Sequence, residues 1–325
     1  MMEDRLVNNL IFNMGPIIIS ALKDKNVAEI MVNSDGKLWI ERFGEDMYVA
    51  GKIDPDQTAR IVSLVASALD STVTKEEPIV EGELPKAAPL NACRFEGVFP
   101  PVVDAAAFTI RKKASQVFPL EDYVEGGIMT HEVLQSIHTA ISDKKNIVVF
   151  GGTSSGKTTL VNGIIKAIAE ISPNDRLIII EDTAELQSRS PNTLFLRATD
   201  HTPIQSLVQA SMRLRPDRIL IGEVRAAKAT IELLKSWNTG HPGGVSTLHA
   251  NSAADGLQRI EDLIAEKSNF PMPRLVGAAV DFVIYIHKSR TVEAGRRVSE
   301  VAKVHGYDSQ KQEYKLEYIH NENKY

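Results

Sequence analysis

The sequence predicts an α/β fold in two parts. A parallel-sheet domain spans residues 130–325, a smaller α+β domain spans 1–112, and a linker joins them at 113–129. Three observations carry this. The run Ile147-Val148-Val149-Phe150 flows directly into Gly151-Gly152-Thr153-Ser154-Ser155-Gly156-Lys157-Thr158-Thr159, a complete G-x-x-x-x-G-K-[ST] loop set between a strand and a helix. Two more unbroken apolar runs, 177–180 and 219–221, read as parallel strands buried on both faces. The first hundred residues instead alternate short amphipathic elements with turn signals.

Taken in order, residues 4–23 have helical spacing of apolar side chains, interrupted at Gly15-Pro16, where a proline removes a helix donor. Residues 27–32 and 37–42 form a hairpin around Asn33-Ser34-Asp35-Gly36, with Asp-Gly as the turn signal. Residues 56–68 are an amphipathic helix with Ile61, Leu64, Val65 and Leu69 on one side, as burial of one helix face requires. A stretch carrying Pro78, Pro85 and Pro89 follows, then strand-like segments at 90–95 and 107–110 with Phe99-Pro100-Pro101 between them. From Arg111 to Met129 the chain is polar, carries Gly126-Gly127 and shows no sustained period, the signature of a linker. A helix from Thr130 to about 141, the strand at 147, and a helix after the loop with Leu160, Val161, Ile164, Ile165 and Ile168 on its core side come next. Strand-like 282–286 and a terminal hairpin, 298–304 with 314–319 turning at 306–309, close the sheet.

Bulk properties narrow the function classes. A length of 325 residues favours two domains over one core. With 43% hydrophobic and 24% charged residues, the composition is that of an ordinary globular protein. A net charge of −5 argues against direct nucleic-acid binding. The single cysteine, Cys93, excludes a disulfide framework and a four-cysteine zinc module. No run approaches the ~18–20 apolar residues that span a bilayer, and the start lacks the basic leader and cleavage site of a signal peptide. A cytoplasmic protein is expected, with any membrane association peripheral.

The loop identifies a ligand. Its glycines let backbone N–H groups curl around a phosphate, and the following helix points its positive end at the same anion. Lys157 would reach the β- and γ-phosphates and the Thr158 hydroxyl would ligate Mg²⁺, so ATP with Mg²⁺ is the expected ligand pair. Two of the apolar strands end in acids: Glu181-Asp182-Thr183-Ala184-Glu185 and Gly222-Glu223-Val224-Arg225. From the residues alone, each acid is either a solvated cap or the carboxylate that holds Mg²⁺ and positions the attacking water. His249, after Val245-Ser246-Thr247-Leu248, is either a loop histidine or a group that reaches the γ-phosphate.

The ordered set of phosphate loop, Ile180-Glu181-Asp182-Thr183-Ala184-Glu185, Arg215-Pro216-Asp217-Arg218-Ile219-Leu220-Ile221-Gly222-Glu223-Val224-Arg225 and Gly243-Gly244-Val245-Ser246-Thr247-Leu248-His249-Ala250-Asn251 resembles the Walker A, Asp-box, Walker B and His-box motifs of the type II/IV secretion ATPase superfamily. Met212-Arg213-Leu214-Arg215-Pro216-Asp217-Arg218 is similar to the traffic ATPases of type IV secretion. The N-terminal half, with Glu29-Ile30-Met31-Val32-Asn33, Arg94-Phe95-Glu96 and Phe108-Thr109-Ile110-Arg111-Lys112, resembles conjugal transfer ATPases of the TrbB type. The likeness covers most of the chain and thins after about residue 290.

The resemblance implies a RecA-like C-terminal domain and a homohexamer that hydrolyses ATP to drive conjugal transfer or pilus assembly, docked on inner-membrane components. It implies that Glu223 is the Walker B acid, acting on Mg²⁺ through water, and that Glu185 is the Asp-box acid nearest the attacking water, with the two roles exchangeable. Glu181 and Asp182 are then partly structural, and His249 sits on the γ-phosphate side. Arg94 and Arg111 match arginines that close over the phosphates, a task suited to a bidentate, permanently charged group. Arg213 and Arg225 are candidates for contacts across a subunit boundary. A pilus assembly or retraction motor of the same superfamily, a DNA translocase, and a nucleotide-gated scaffold without turnover are the competing readings.

Overall fold

A computed structural model describes residues 2–43, 45–113, 117–199, 201–268 and 270–322. Positions 114–116, within the expected linker, lie outside the described residues. The chain divides into two compact units, Met1–Ser115 and Gln116–Tyr325.

The first unit begins with α1 (Met2–Lys23), which is non-helical at Gly15 (φ 72°, ψ 174°). Pro16 then opens the second helical segment, where its missing N–H is no loss. Gln57 donates to the Asn13 carbonyl at the break, at 2.6 Å. Among the described residues, 5–23 form a helix long and apolar enough, by length and composition alone, to cross a membrane, contrary to the expectation from the sequence. Leu10, Met14, Ile18, Ala21 and Leu22 on that helix are nevertheless buried in the unit's own core. Next come β1 (Val27–Val32), β2 (Lys37–Arg42), β3 (Tyr48–Lys52), α2 (Pro55–Ala68), β4 (Ile79–Glu83), β5 (Arg94–Val98) and β6 (Ala107–Arg111). The strands form one sheet in the order β3-β2-β1-β6-β5-β4. The Asp54 side chain caps α2 by accepting from the amides of Asp56 and Gln57, satisfying donors that a helix start leaves open. The expected strand at 90–95 starts only at Arg94. Asn91 and Ala92 have φ of 49° and 52°, which bends residues 90–92 into a turn.

The second unit runs α3 (Leu120–Glu125), α4 (His131–Ser142), β7 (Ile147–Phe150), α5 (Lys157–Ile171), β8 (Leu177–Glu181), β9 (Thr193–Arg197), α6 (Ile204–Ser211), β10 (Arg218–Ile221), α7 (Ala227–Asn238), β11 (Val245–Leu248), α8 (Ala253–Ser268), α9 (Pro273–Ala279), β12 (Phe282–Lys288), β13 (Arg296–Asp308) and β14 (Glu313–Asn321). Helix α3 falls inside the stretch expected as linker. Its Leu120 and Tyr123 are buried in this unit's core.

The sheet order is β14-β13-β12-β7-β11-β10-β8-β9. Pairing is parallel from β12 through β9 and antiparallel among β12, β13 and β14. The period-two alternation of strands sends neighbouring residues to opposite faces. Ile147, Val149, Leu177, Ile179 and Leu220 pack with α3, α4 and α5, whereas Val148, Phe150, Ile178, Ile180, Ile219 and Ile221 pack with α6 to α9. This is a RecA-like three-layer α/β unit that follows a smaller α+β unit in the chain. The terminal hairpin turns at 309–312 rather than 306–309. Gly306 (φ 96°) instead sits at a register shift between Val304 and Tyr307, a bulge that the sequence presents as a turn.

Candidate nucleotide site

Open parallel sheets bind ligands outside the carboxyl ends of their strands, and that is where the sequence motifs converge. β7 ends at Phe150 and the phosphate loop follows. A Cβ on Gly151 would lie 2.2 Å from the Ile286 carbonyl oxygen and 2.5 Å from Ser155 Oγ, so only glycine fits that close approach. Gly156 has φ 97° and caps α5 with no side-chain hydrogen bond to the helix amides. The helix start thus lacks a side-chain cap and is a place for an anion. A Cβ on Gly152 would meet nothing within 4 Å, leaving open space over the loop. Ser155 Oγ is buried and has no hydrogen-bond partner among the described residues. Thr153 is exposed, Ser154 has φ 55°, and Thr158 and Thr159 sit half-buried in the first turn of α5.

Lys157 is buried and bends back on its own loop. Its Nζ donates to the carbonyls of Gly151 (3.0 Å) and Gly152 (2.8 Å). It also lies 3.3 Å from His249 Nδ1. His249 Nε2 is 3.0 Å from Glu223 Oε1. An imidazole with its proton on Nε2 donates to Glu223, while the Lys157 ammonium, also 3.5 Å from Nε2, sits against the ring rather than in line with one lone pair. The other Glu223 oxygen accepts from Arg225 Nε (2.9 Å) and Nη2 (2.6 Å), and Arg225 Nη1 reaches Asp182 at 3.2 Å. The polar chain Lys157–His249–Glu223–Arg225–Asp182 therefore visits strand ends in the order β7, β11, β10, β8, which is their order in the sheet.

Behind this chain, Glu181 closes β8 at 3% exposure. Its Oε1 accepts from the amides of Glu185 (3.0 Å) and Leu186 (2.8 Å). Burial pushes its carboxyl up to about 7, against the pull of those two amides and of Arg197. Glu185 sits on the loop that Glu181 shapes, and its charge acts on the Arg225 guanidinium.

Two positions escaped the sequence reading. Asn162, buried on α5, donates to the Glu185 carbonyl (3.1 Å) and accepts from the Gln187 amide (2.8 Å). An asparagine inside the apolar run of that helix was the available signal. Thr247 donates from Oγ1 to the Gly222 carbonyl at 2.8 Å and so ties β11 to the loop that carries Glu223. It sits in an ordinary strand pattern and gave no signal.

Among the described residues no group of three or more His, Cys, Asp or Glu side chains could hold a metal ion. A divalent cation here would need oxygens from a bound nucleotide in addition to Thr158, the usual arrangement for Mg²⁺. In the first unit, Arg94 and Arg111 are direct cross-strand partners on β5 and β6. Arg94 pairs with Glu81 at 2.7 Å, and Arg111 Nε lies 3.9 Å from Glu29. Of the two arginines assigned by resemblance to a subunit boundary, Arg225 is engaged within its own chain and Arg213 is exposed.

A phosphate loop on a RecA-like sheet, with acids and a histidine on the adjacent strand ends, defines the class: a P-loop nucleotide-binding protein. The chain belongs to the type II/IV secretion system protein family, whose profile matches residues 13–310. It is 46% identical over 300 residues to the probable conjugal transfer protein TrbB of Sinorhizobium fredii, covering 92% of this chain and 90% of the relative. It is 29% identical to the type IV secretion system protein VirB11 of Bartonella quintana, covering 87% of this chain and 90% of that one. Two solved structures share the fold. They are the Legionella pneumophila ATPase DotB (TM-score 0.62, 16% identity, 91% of this chain and 81% of that one) and the pilus retraction motor PilT with ADP (TM-score 0.61, 18% identity, 93% and 80%).

Proposed function

We propose that this protein is an ATP hydrolase that powers a type IV secretion or conjugal transfer apparatus. It works as a cytoplasmic homohexamer held peripherally against inner-membrane components. The observation that carries the reading is the chain of polar contacts from Lys157 through His249 to Glu223, laid across adjacent strand ends beside an open, uncapped phosphate loop. The 46% identity with a conjugal transfer protein supports the choice of apparatus.

When a nucleotide enters, Lys157 exchanges the Gly151 and Gly152 carbonyls for phosphate oxygens, a stronger, charge-assisted pairing. That exchange also draws Lys157 from His249, whose imidazolium form would donate from Nδ1 to the γ-phosphate while Nε2 still donates to Glu223. The buried Ser155 hydroxyl and the first amides of α5 face the same anion. Thr158, and Glu223 through a water, would hold Mg²⁺, which would neutralise charge on the phosphate oxygens. Glu223 or Glu185 orients the attacking water, and the other steadies the loop. His249 reports on the γ-phosphate through its bond to Glu223. Arg94 and Arg111 add two guanidiniums to the phosphates in the triphosphate state, a differential contact that couples nucleotide to domain movement.

The test is transfer frequency in the native host after deletion of the gene and complementation. Transfer should collapse on deletion and return with the wild-type gene but not with Glu223→Gln. Undiminished transfer in the deletion strain would assign the motor to another pilus or secretion system.

A further inference from the structure

The phosphate loop has a second flank, formed by β12 and β13. Tyr285 of β12 pairs with Phe150 at the end of β7, and β12 then continues through Ile286, His287 and Lys288 beside the loop. β13 returns with Arg296 directly opposite Lys288. The Arg296 side chain lies against the loop glycine that caps α5. Its Nη1 would be 2.7 Å, and its Cδ 3.2 Å, from a Cβ on Gly156.

This guanidinium is poorly satisfied. Its one hydrogen bond among the described residues is from Nε to the Ala294 carbonyl, at 3.4 Å. No carboxylate among the described residues lies within ion-pair reach of it. Arg94, Arg218 and Arg225 all pair with an acid. Arg296 is half-buried and stands at the positive end of a helix, where the macrodipole repels a cation. Nearby, the Tyr123 hydroxyl is buried with no hydrogen-bond partner among the described residues. Burial pushes that phenol up, and the Arg296 charge acts on it in the opposite sense. A guanidinium with one long hydrogen bond and no carboxylate, lying against the glycine of an uncapped phosphate loop, is accounted for by an anion that completes its set.

Resting on the nucleotide reading above, we propose that Arg296 is a nucleotide-binding residue. Its guanidinium grips phosphate oxygens common to ADP and ATP from the β13 side of the loop, opposite the Lys157–His249–Glu223 side. It adds affinity that di- and triphosphate share, so its weight falls on binding more than on turnover.

The experiment is Mg·ADP titration of the full chain as wild type, Arg296→Gln, Arg296→Lys and Lys157→Ala, with KM and kcat for ATP on the same samples. Arg296→Gln should weaken ADP about tenfold, the value of one charge-assisted hydrogen bond. It should raise KM for ATP by a similar factor and change kcat less than KM, and Arg296→Lys should recover part of the loss. Wild-type ADP affinity in Arg296→Gln, alongside lost binding in Lys157→Ala, overturns the proposal and leaves the nucleotide site standing. A fall in kcat with ADP affinity unchanged also overturns it. Wild-type behaviour of Lys157→Ala removes the nucleotide reading itself. A measurement on the wild-type protein is independent of how the variants fold. Mg·ADP should protect Arg296 from phenylglyoxal, read by peptide mass spectrometry, and equal modification with and without ADP counts against the assignment.

Discussion

The two edges of the parallel sheet in the second unit both bury cations, and they treat them in opposite ways. At the amino edge Arg218, 1% exposed, spends its donors on fixed acceptors. These are Asp175 (2.7 Å), the Ile141 carbonyl at the end of α4 (3.0 Å), Ser172 Oγ at the end of α5 (3.0 Å) and the Gly243 carbonyl (3.3 Å). Lys144 adds a second cation on Asp175 at 3.0 Å. Burial opposes the Asp175 charge, but the hydrogen bonds from Lys144 and Arg218 outweigh it and hold the carboxyl below its ordinary value. Cations there meet the negative ends of helices. At the carboxyl edge Lys157 and Arg296 stand at the positive end of α5 instead. Lys157 is held by carbonyls of its own loop and by a histidine ring. The same sheet thus carries one edge whose charges are settled by the fold and one whose charges call for an anion.

The comparison can be broken from either side. Arg218→Ala leaves Asp175 and several carbonyls short of partners, and it should cost about 3–5 kcal/mol in urea unfolding while hydrolysis per folded molecule stays within twofold. If turnover vanished with stability intact, the two edges would not be separable. Lys157→Ala should do the reverse, lowering hydrolysis by about 100- to 1000-fold with little change in the unfolding midpoint.

Glu181 sharpens the contrast through pH. Its folded-state carboxyl is raised from 4.5 to about 7, so the folded chain holds that proton more tightly than the unfolded one. Stability from this group is present below about pH 4.5, is lost as pH rises toward 7, and is flat above. Glu181→Gln, which keeps an acceptor for the Glu185 and Leu186 amides, should match wild type near pH 4.5 and exceed it at pH 7.5. The difference should be on the order of 1–3 kcal/mol. Equal melting profiles across that window would show that Glu181 is ionised without penalty. The smallest effect belongs to Asn162→Ala, which loosens the 185–187 loop at a cost of about 1 kcal/mol, measurable by the same unfolding assay.

What could be read from the sequence follows physical signal strength. The phosphate loop, the apolar strands β7, β8 and β10, and the acids that close two of them were legible because buried parallel strands and helix-start glycines leave few alternatives. β9 was missed because Thr193–Arg197 is a half-exposed edge strand whose apolar run is only Leu194-Phe195-Leu196, closed by Arg197 rather than by a motif. Helix α3 was hidden because six residues beside Gly126-Gly127 read as linker, although Leu120 and Tyr123 pack on the core. Gly306 was taken for a turn because a bulge and a turn demand the same positive φ. In the site, Lys157, His249 and Glu223 could be singled out one by one. Their order as a connected chain depends on β11 lying between β7 and β10, a long-range pairing that no local pattern encodes.

The proposed hydrolysis of ATP takes place at the edge of the sheet where β7, β11 and β10 end. The direct measurement is phosphate release from Mg·ATP by wild type and Glu223→Gln, with ADP affinity determined on the same preparations. Turnover by wild type, at least 100-fold slower release by Glu223→Gln, and ADP affinity within a few-fold in both is the predicted result. Release by Glu223→Gln at the wild-type rate would contradict the account.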